Sequence, residues 1–268
     1  GGAASAVSVA AQPEAVALGE AGRKSERIAM EKDLAELVEG LKTAAGANLK
    51  AVVLYGSAAG GDFQAGHSDL NVLCVLDRLD GAELQKLSSV ARWWEKKGHP
   101  APLVFGVEEL HHAADVFAIE LLDIQEKHRL LFGENIFAAM QVPLHLHREQ
   151  VERELRTNLV RMRQRYLSGA RNDDAVRHLI IESAPSFLVL FRHALRAMGE
   201  AVPHHRHAVV EQLANRLGFD AAGILNALQL RERGHAPSGA ELARIFHAYL
   251  GAVTHVVEEV DRRFSKPE

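Results

Sequence analysis

Two short apolar runs separated by a glycine-rich loop constrain this chain more than anything else in it. The first is Lys50-Ala51-Val52-Val53-Leu54-Tyr55, ending at Gly56-Ser57. After eleven intervening residues comes Asp69-Leu70-Asn71, opening the second run, Val72-Leu73-Cys74-Val75-Leu76. Both runs are short, β-branched and bounded by turn residues, so they read as buried strands. The loop between them holds Gly60, Gly61 and Gly66. A strand that ends in Gly-Ser lets a phosphate approach the backbone, because glycine has no Cβ. The serine hydroxyl and nearby N–H groups can then bind phosphate oxygens. Positions 69 and 71 share one strand face, since side chains alternate with period two. Two polar residues on one face of an otherwise apolar strand suit a divalent-cation site better than a core. Mg²⁺ takes hard oxygen ligands and shares them with substrate phosphates. A third carboxylate on a neighbouring strand would complete the site. Val116–Ile124 reads as such a strand, with Glu120 between Ile119 and Leu121. Asp123 is the alternative third acid, although its odd offset turns it to the other face.

At these residues the chain resembles the DNA polymerase β-like nucleotidyltransferase superfamily, and within it the aminoglycoside nucleotidyltransferases. The motif reads GSAAGGDFQAGHSDLNVL, with Glu120 as the later acid. The resemblance covers about residues 30–135. It departs from the family at one position: the second aspartate of the signature is Asn71. An amide can lend its carbonyl oxygen to a metal but brings no charge, and a pair of Mg²⁺ ions needs anionic ligands. The resemblance implies that Gly56, Ser57 and Ser68 hold a nucleoside triphosphate, ATP first among them. It implies Mg²⁺ on Asp69, Asn71 and Glu120, with Asp69 and Glu120 as the catalytic pair. The reaction would pass a nucleoside monophosphate to a hydroxyl of a small molecule or protein. The alternative is a catalytically impaired nucleotide-binding or regulatory module. Asn71 separates the two.

The rest of the chain supplies an architecture. Ile28, Leu34, Leu37, Val38 and Leu41 recur at helical intervals over 25–45, and residues 81–97 form a second amphipathic helix. Residues 102–105 and 128–132 read as strands, and 107–114 as a short helix. Past Pro143 only helical periodicity remains, at 148–167, 175–198, 209–217, 221–231 and 239–264. The basic residues change there too, from eight Lys and five Arg up to residue 145 to one Lys and 17 Arg beyond it. The expected fold class is therefore an α/β (α+β) mixed sheet with flanking helices, followed by an all-helical bundle. The expected divisions are a flexible leader or tag remnant over 1–24, an α/β domain over 25–143 and a helical domain over 144–268.

Composition removes several functions. A formal charge of −4 argues against a general nucleic-acid binder, and one cysteine against an internal disulfide. That single cysteine suits a reducing, cytoplasmic compartment. No apolar run reaches the ~18–20 residues of a membrane helix. A homodimer stays open. His204, His205 and His207 lack neighbouring cysteines for a zinc site. No Gly-x-Ser-x-Gly elbow or Walker motif occurs. The arginines of 148–167 read as a solvated face paired with glutamates, with a phosphate-binding cleft as the sharper alternative.

Overall fold

The computed structural model describes residues 13–60, 69–138, 140–232 and 237–265. The chain divides into two compact units. One comprises the residues up to His112 together with Asp123–Met140; the other comprises Ala113–Leu122 and Gln141–Glu268.

The first unit is a four-stranded mixed sheet. Strand β1 (Leu49–Tyr55) runs antiparallel to β2 (Asn71–Leu76) on one side and to β4 (His128–Gly133) on the other. Strand β3 (Leu103–Gly106) lies parallel to β2, giving the order β3-β2-β1-β4. Residues Ala51 to Leu54 are all buried, so β1 is covered on both faces. That is why its sequence is continuously apolar instead of alternating. Helices α1 (Pro13–Ala45) and α2 (Gly81–Lys96) cover one face. Leu34, Leu37 and Leu41 of α1 and Leu87 and Trp94 of α2 join Val52, Leu54, Val72, Cys74 and Leu76 in one apolar cluster. The register agrees, since Val52 opposes Cys74 and Leu54 opposes Val72. Helix α2 supplies the crossover that the parallel β2–β3 pair requires. Its start is set by Asp80, whose carboxylate accepts from the Ala82 and Glu83 N–H groups at 2.9 and 3.0 Å.

Two elements depart from the expectation. Helix α1 begins at Pro13, where periodicity placed its start near Ser25. Ala, Glu, Arg and Lys have high intrinsic helix propensity, and that extends a helix where no apolar stripe marks it. The expected strand over Val116–Ile124 is also absent. Helix α3 (Val107–His112) leads through a 3-10 turn into α4 (Ala118–Glu126), which is helical. Its buried residues Ala118, Ile119, Leu121 and Ile124 fall on one side of a helix, and Glu120 and Asp123 do not join them.

The second unit contains α5 (Leu144–Gly169), α6 (Asp173–Ala197), α7 (Arg206–Leu217), α8 (Ala222–Glu232) and α9 (Gly239–Phe264). These are the five helices expected from periodicity, and among the described residues no strand follows Gly133. Their core is assembled from every helix: Leu155 and Leu159, Phe187 and Phe191, Leu213, Ala227, and Phe246, Tyr249 and Val253. Two histidines are buried in this unit, His147 of α5 and His193 of α6, with Nε2 and Nδ1 3.0 Å apart. No helix in the structure is long and apolar enough to cross a membrane among the described residues.

Candidate functional site

The site expected from sequence begins where β1 ends. Gly56 adopts φ +80°, a left-handed conformation that turns the chain off the sheet. Its N–H donates to the Lys127 carbonyl at 3.0 Å, just before β4. Its own carbonyl accepts from the N–H groups of Ala59 at 3.1 Å and Gly60 at 3.3 Å. Residues 56–60 are thus one closed turn, tied to the sheet at its root. Ala58 is buried and anchors the turn, which leaves Ser57 exposed.

The start of β2 lies directly beside this turn. The register sets Asn71 opposite Tyr55, and Tyr55 opposite His128, as one row across three strands. A Cβ on Gly56 would lie 3.5 Å from Asn71 Nδ2. The amide therefore faces the turn, at ordinary contact distance. Leu70 is 1% exposed and pins the segment to the core, with Asp69 left exposed in front of it. The charge of Asp69 is felt at His99. Burial pushes the His99 imidazole below its ordinary range, and Asp33 and Asp69 partly oppose that shift.

Gly56, Ser57, Asp69 and Asn71 are therefore carried by the adjoining ends of β1 and β2. Ser68 lies outside the described residues, as do Asp62 and His67. Glu120 does not join the sheet. It is exposed on α4, in the second unit, and its Oε2 accepts from Gln150 Nε2 at 3.0 Å. Gln150 also accepts the Ile119 N–H through Oε1 at 2.8 Å. Asp123 lies on the same helix, not on a strand. The strand on the other side of β2 from β1 is β3, and it offers Leu103, Val104 and Phe105. Of the two acids that follow it, Glu108 and Glu109, the second accepts from the Gly106 N–H at 3.2 Å and so serves the turn into α3.

The donor set decides which metal complement fits. Asp69 contributes one carboxylate and Asn71 one amide oxygen. Among the described residues no group of three or more His, Cys, Asp or Glu side chains is placed to hold a metal. Mg²⁺ commonly keeps several waters and binds one or two protein oxygens plus substrate phosphates. The two side chains fit one such ion shared with a nucleotide. They do not fit a pair of ions, which needs more negative charge than one carboxylate supplies.

Lys127 also lies against this turn, and sequence reasoning did not single it out. Its Cδ lies 3.3 Å and its Cε 3.7 Å from where a Cβ on Gly60 would stand. The strand beginning at His128 was legible, but nothing local says that it pairs with β1. Only the Tyr55–His128 register brings Lys127 to Gly56. The α5 arginines mostly hold partners in their own unit. Arg156 pairs with Asp261 at 3.0 Å, Arg165 with Glu182, and Arg163 donates to Thr254 Oγ1 at 3.2 Å. A surface groove of 510 Å³ runs along α5 past Arg153, Arg156 and Arg161.

No family model matches the chain, and no curated protein matches it significantly. Among solved structures it is similar to a spectinomycin adenyltransferase from Enterococcus faecialis, crystallised with ATP and spectinomycin. The likeness has a TM-score of 0.51 at 12% identity and covers 86% of this chain and 99% of the other. The architecture described above, a mixed four-stranded sheet with flanking helices followed by a helix-rich region, is the nucleotidyltransferase fold.

Proposed function

We propose that this chain binds a nucleoside triphosphate at the turn after β1, and that it is a nucleotide-binding protein on a transferase fold whose two-metal transfer chemistry is disabled. The observation that carries the reading is the composition of the paired strand ends. Beside the hydrogen-bonded turn of Gly56 to Gly60 stand one carboxylate and one amide, and β3, on the other side of β2, is apolar. Metal-assisted displacement at an α-phosphate relies on cations held against both the attacking and leaving oxygens. Removing anionic ligands weakens that arrangement while sparing the exposed Ser57 hydroxyl as a phosphate donor.

A second reading is transfer of a nucleoside monophosphate, with a single Mg²⁺ held by Asp69 and Asn71, to a hydroxyl of a small molecule. What favours it is the exposure of Asp69 and the similarity to a spectinomycin adenyltransferase solved with ATP and spectinomycin. In that case Mg²⁺ would supply charge neutralisation on the phosphates, and the turn would hold and orient them.

Calorimetric titration with ATP, GTP, CTP and UTP, with and without Mg²⁺, tests the first reading, alongside a pyrophosphate-release assay with a panel of hydroxylated acceptors. The expected result is binding of at least one triphosphate without release of pyrophosphate. Asn71→Asp, which restores a second carboxylate, is expected to make binding more dependent on Mg²⁺. Pyrophosphate release by the unaltered chain that disappears in Asp69→Ala would replace the first reading with the second. Absence of binding to all four nucleotides would sink both.

A further inference from the structure

We propose that Tyr55 and His128 recognise the sugar hydroxyls of the bound nucleotide, as the next two positions of the row that Asn71 opens beside the turn after β1. The inference rests on the nucleotide-binding reading above and assigns the part of that site that tells a nucleotide from a bare polyphosphate.

The sheet brings these side chains together. Asn71 opposes Tyr55, and Tyr55 opposes His128, so all three lie on one face at the end of the sheet that carries the turn. Directly opposed residues of antiparallel strands hold their Cβ atoms about 4.5–5.5 Å apart. Leu54 and Val72, the neighbours in sequence, belong to the helix-covered cluster, so the row lies on the opposite face. Further along that face Val53 and Leu73 are fully buried. Asn71, Tyr55 and His128 each keep part of their surface, so three polar groups end an apolar floor.

The hydrogen-bonding capacity of the row follows from its surroundings. His128 Nδ1 lies 3.1 Å from the Gln125 carbonyl, which can only accept, so Nδ1 carries the proton. The neutral ring then offers Nε2 as an acceptor. The same imidazole is set against the Phe137 ring, with centroids 5.5 Å apart, and Gln125 is itself tied down by donating to the Met140 carbonyl at 2.8 Å. A ring held on two sides loses little freedom when a ligand arrives. Burial pushes the Tyr55 phenol above its ordinary range, which keeps it an O–H donor. Vicinal hydroxyls match this pair, one donating to His128 Nε2 and the other accepting from Tyr55. An ionised phosphate oxygen has no proton to give the imidazole. With the phosphates at Gly56 and Asn71, the sugar is the next part of the ligand and Tyr55 and His128 are the next side chains of the row.

The test is calorimetric titration of the full chain with ATP and with 2′,3′-dideoxy-ATP, in Mg²⁺. The unaltered chain is expected to bind ATP about tenfold or more tighter than the dideoxy analogue, which leaves both side chains without partners. Tyr55→Phe keeps the ring and removes the hydroxyl. His128→Asn keeps a donor for the Gln125 carbonyl and removes Nε2. Each is expected to weaken ATP binding by about fivefold and to leave the affinity for the dideoxy analogue unchanged. Circular dichroism melting verifies that both variants fold. Equal affinity of the unaltered chain for the two nucleotides would overturn the assignment without any variant, and would leave nucleotide binding standing. So would folded variants that still prefer ATP as strongly as the unaltered chain, or that lose both nucleotides equally. No binding of either nucleotide would overturn the nucleotide reading itself and the assignment with it.

Discussion

Gly56 carries three constraints in one residue. It has φ +80°, it donates to Lys127, and it accepts the two N–H groups that close the turn. An alanine there would meet Asn71 Nδ2 at 3.5 Å, which is ordinary contact, so space is not what excludes a side chain. The cost is conformational. An L-residue in the left-handed region gives up about 1–2 kcal/mol. Gly56→Ala is therefore expected to lower stability by about that amount in urea denaturation, with no change in m-value, and to weaken ATP binding by shifting the turn. A variant as stable as the unaltered protein would mean that the turn relaxes freely, and that the phosphate cradle is not held by this glycine. Cys74 shows the opposite kind of residue. It sits at 0% exposure on β2 among Val52, Leu54 and Val72, and burial pushes its thiol up to about 12. Its surroundings make it a packed apolar group.

The elements differ in how openly the sequence states them. Helices α5, α6 and α9 were legible because each buries a stripe at 3.6-residue spacing over ten or more positions. Strands β1 and β2 were legible because a short β-branched run between turns has few alternatives. Helix α4 was not. Its nine residues hold too few turns for periodicity to compete with the β-branched and aromatic character of Val116, Phe117 and Ile119. What fixes its first turn is distant in sequence: Gln150 accepts the Ile119 N–H through Oε1 and donates to Glu120 through Nε2. Gln150 is 4% exposed, so that amide stands in for water at the helix N-terminus. The strand-end part of the site was read correctly as a motif, yet the third acid went astray with the misread element. Gln150→Leu is expected to destabilise the protein by about 1–3 kcal/mol, the cost of leaving a buried donor unsatisfied. Faster hydrogen exchange at Ile119 and Glu120, measured by NMR, would locate that loss at α4. Unchanged exchange there would mean that the first turn is held by packing alone.

Across the whole molecule, the mild net charge of −4 averages two unlike halves, one drawing on Lys and the other almost exclusively on Arg. Each unit has its own apolar cluster, one around Trp94 and the sheet, the other around Phe187, Phe246 and Tyr249. The residues of the proposed nucleotide site, Gly56, Ser57, Asp69 and Asn71, all belong to the first unit. A ligand that binds the folded form stabilises it by RT ln(1 + [L]/Kd), about 2.7 kcal/mol at a hundredfold excess over Kd. For amides that exchange only through opening of the unit that holds the ligand, that energy slows exchange by about a hundredfold. Hydrogen exchange followed by mass spectrometry should therefore show ATP slowing exchange in β1, β2 and β4 far more than in α6 to α9. Peptides over 51–60 and 127–133 should respond most, since Gly56 and Lys127 share a hydrogen bond there. Equal slowing across both units would mean that the nucleotide is gripped by helical residues as well, with the arginines of α5 the first to replace. Slowing confined to α6 to α9 would move the site away from the strand ends altogether.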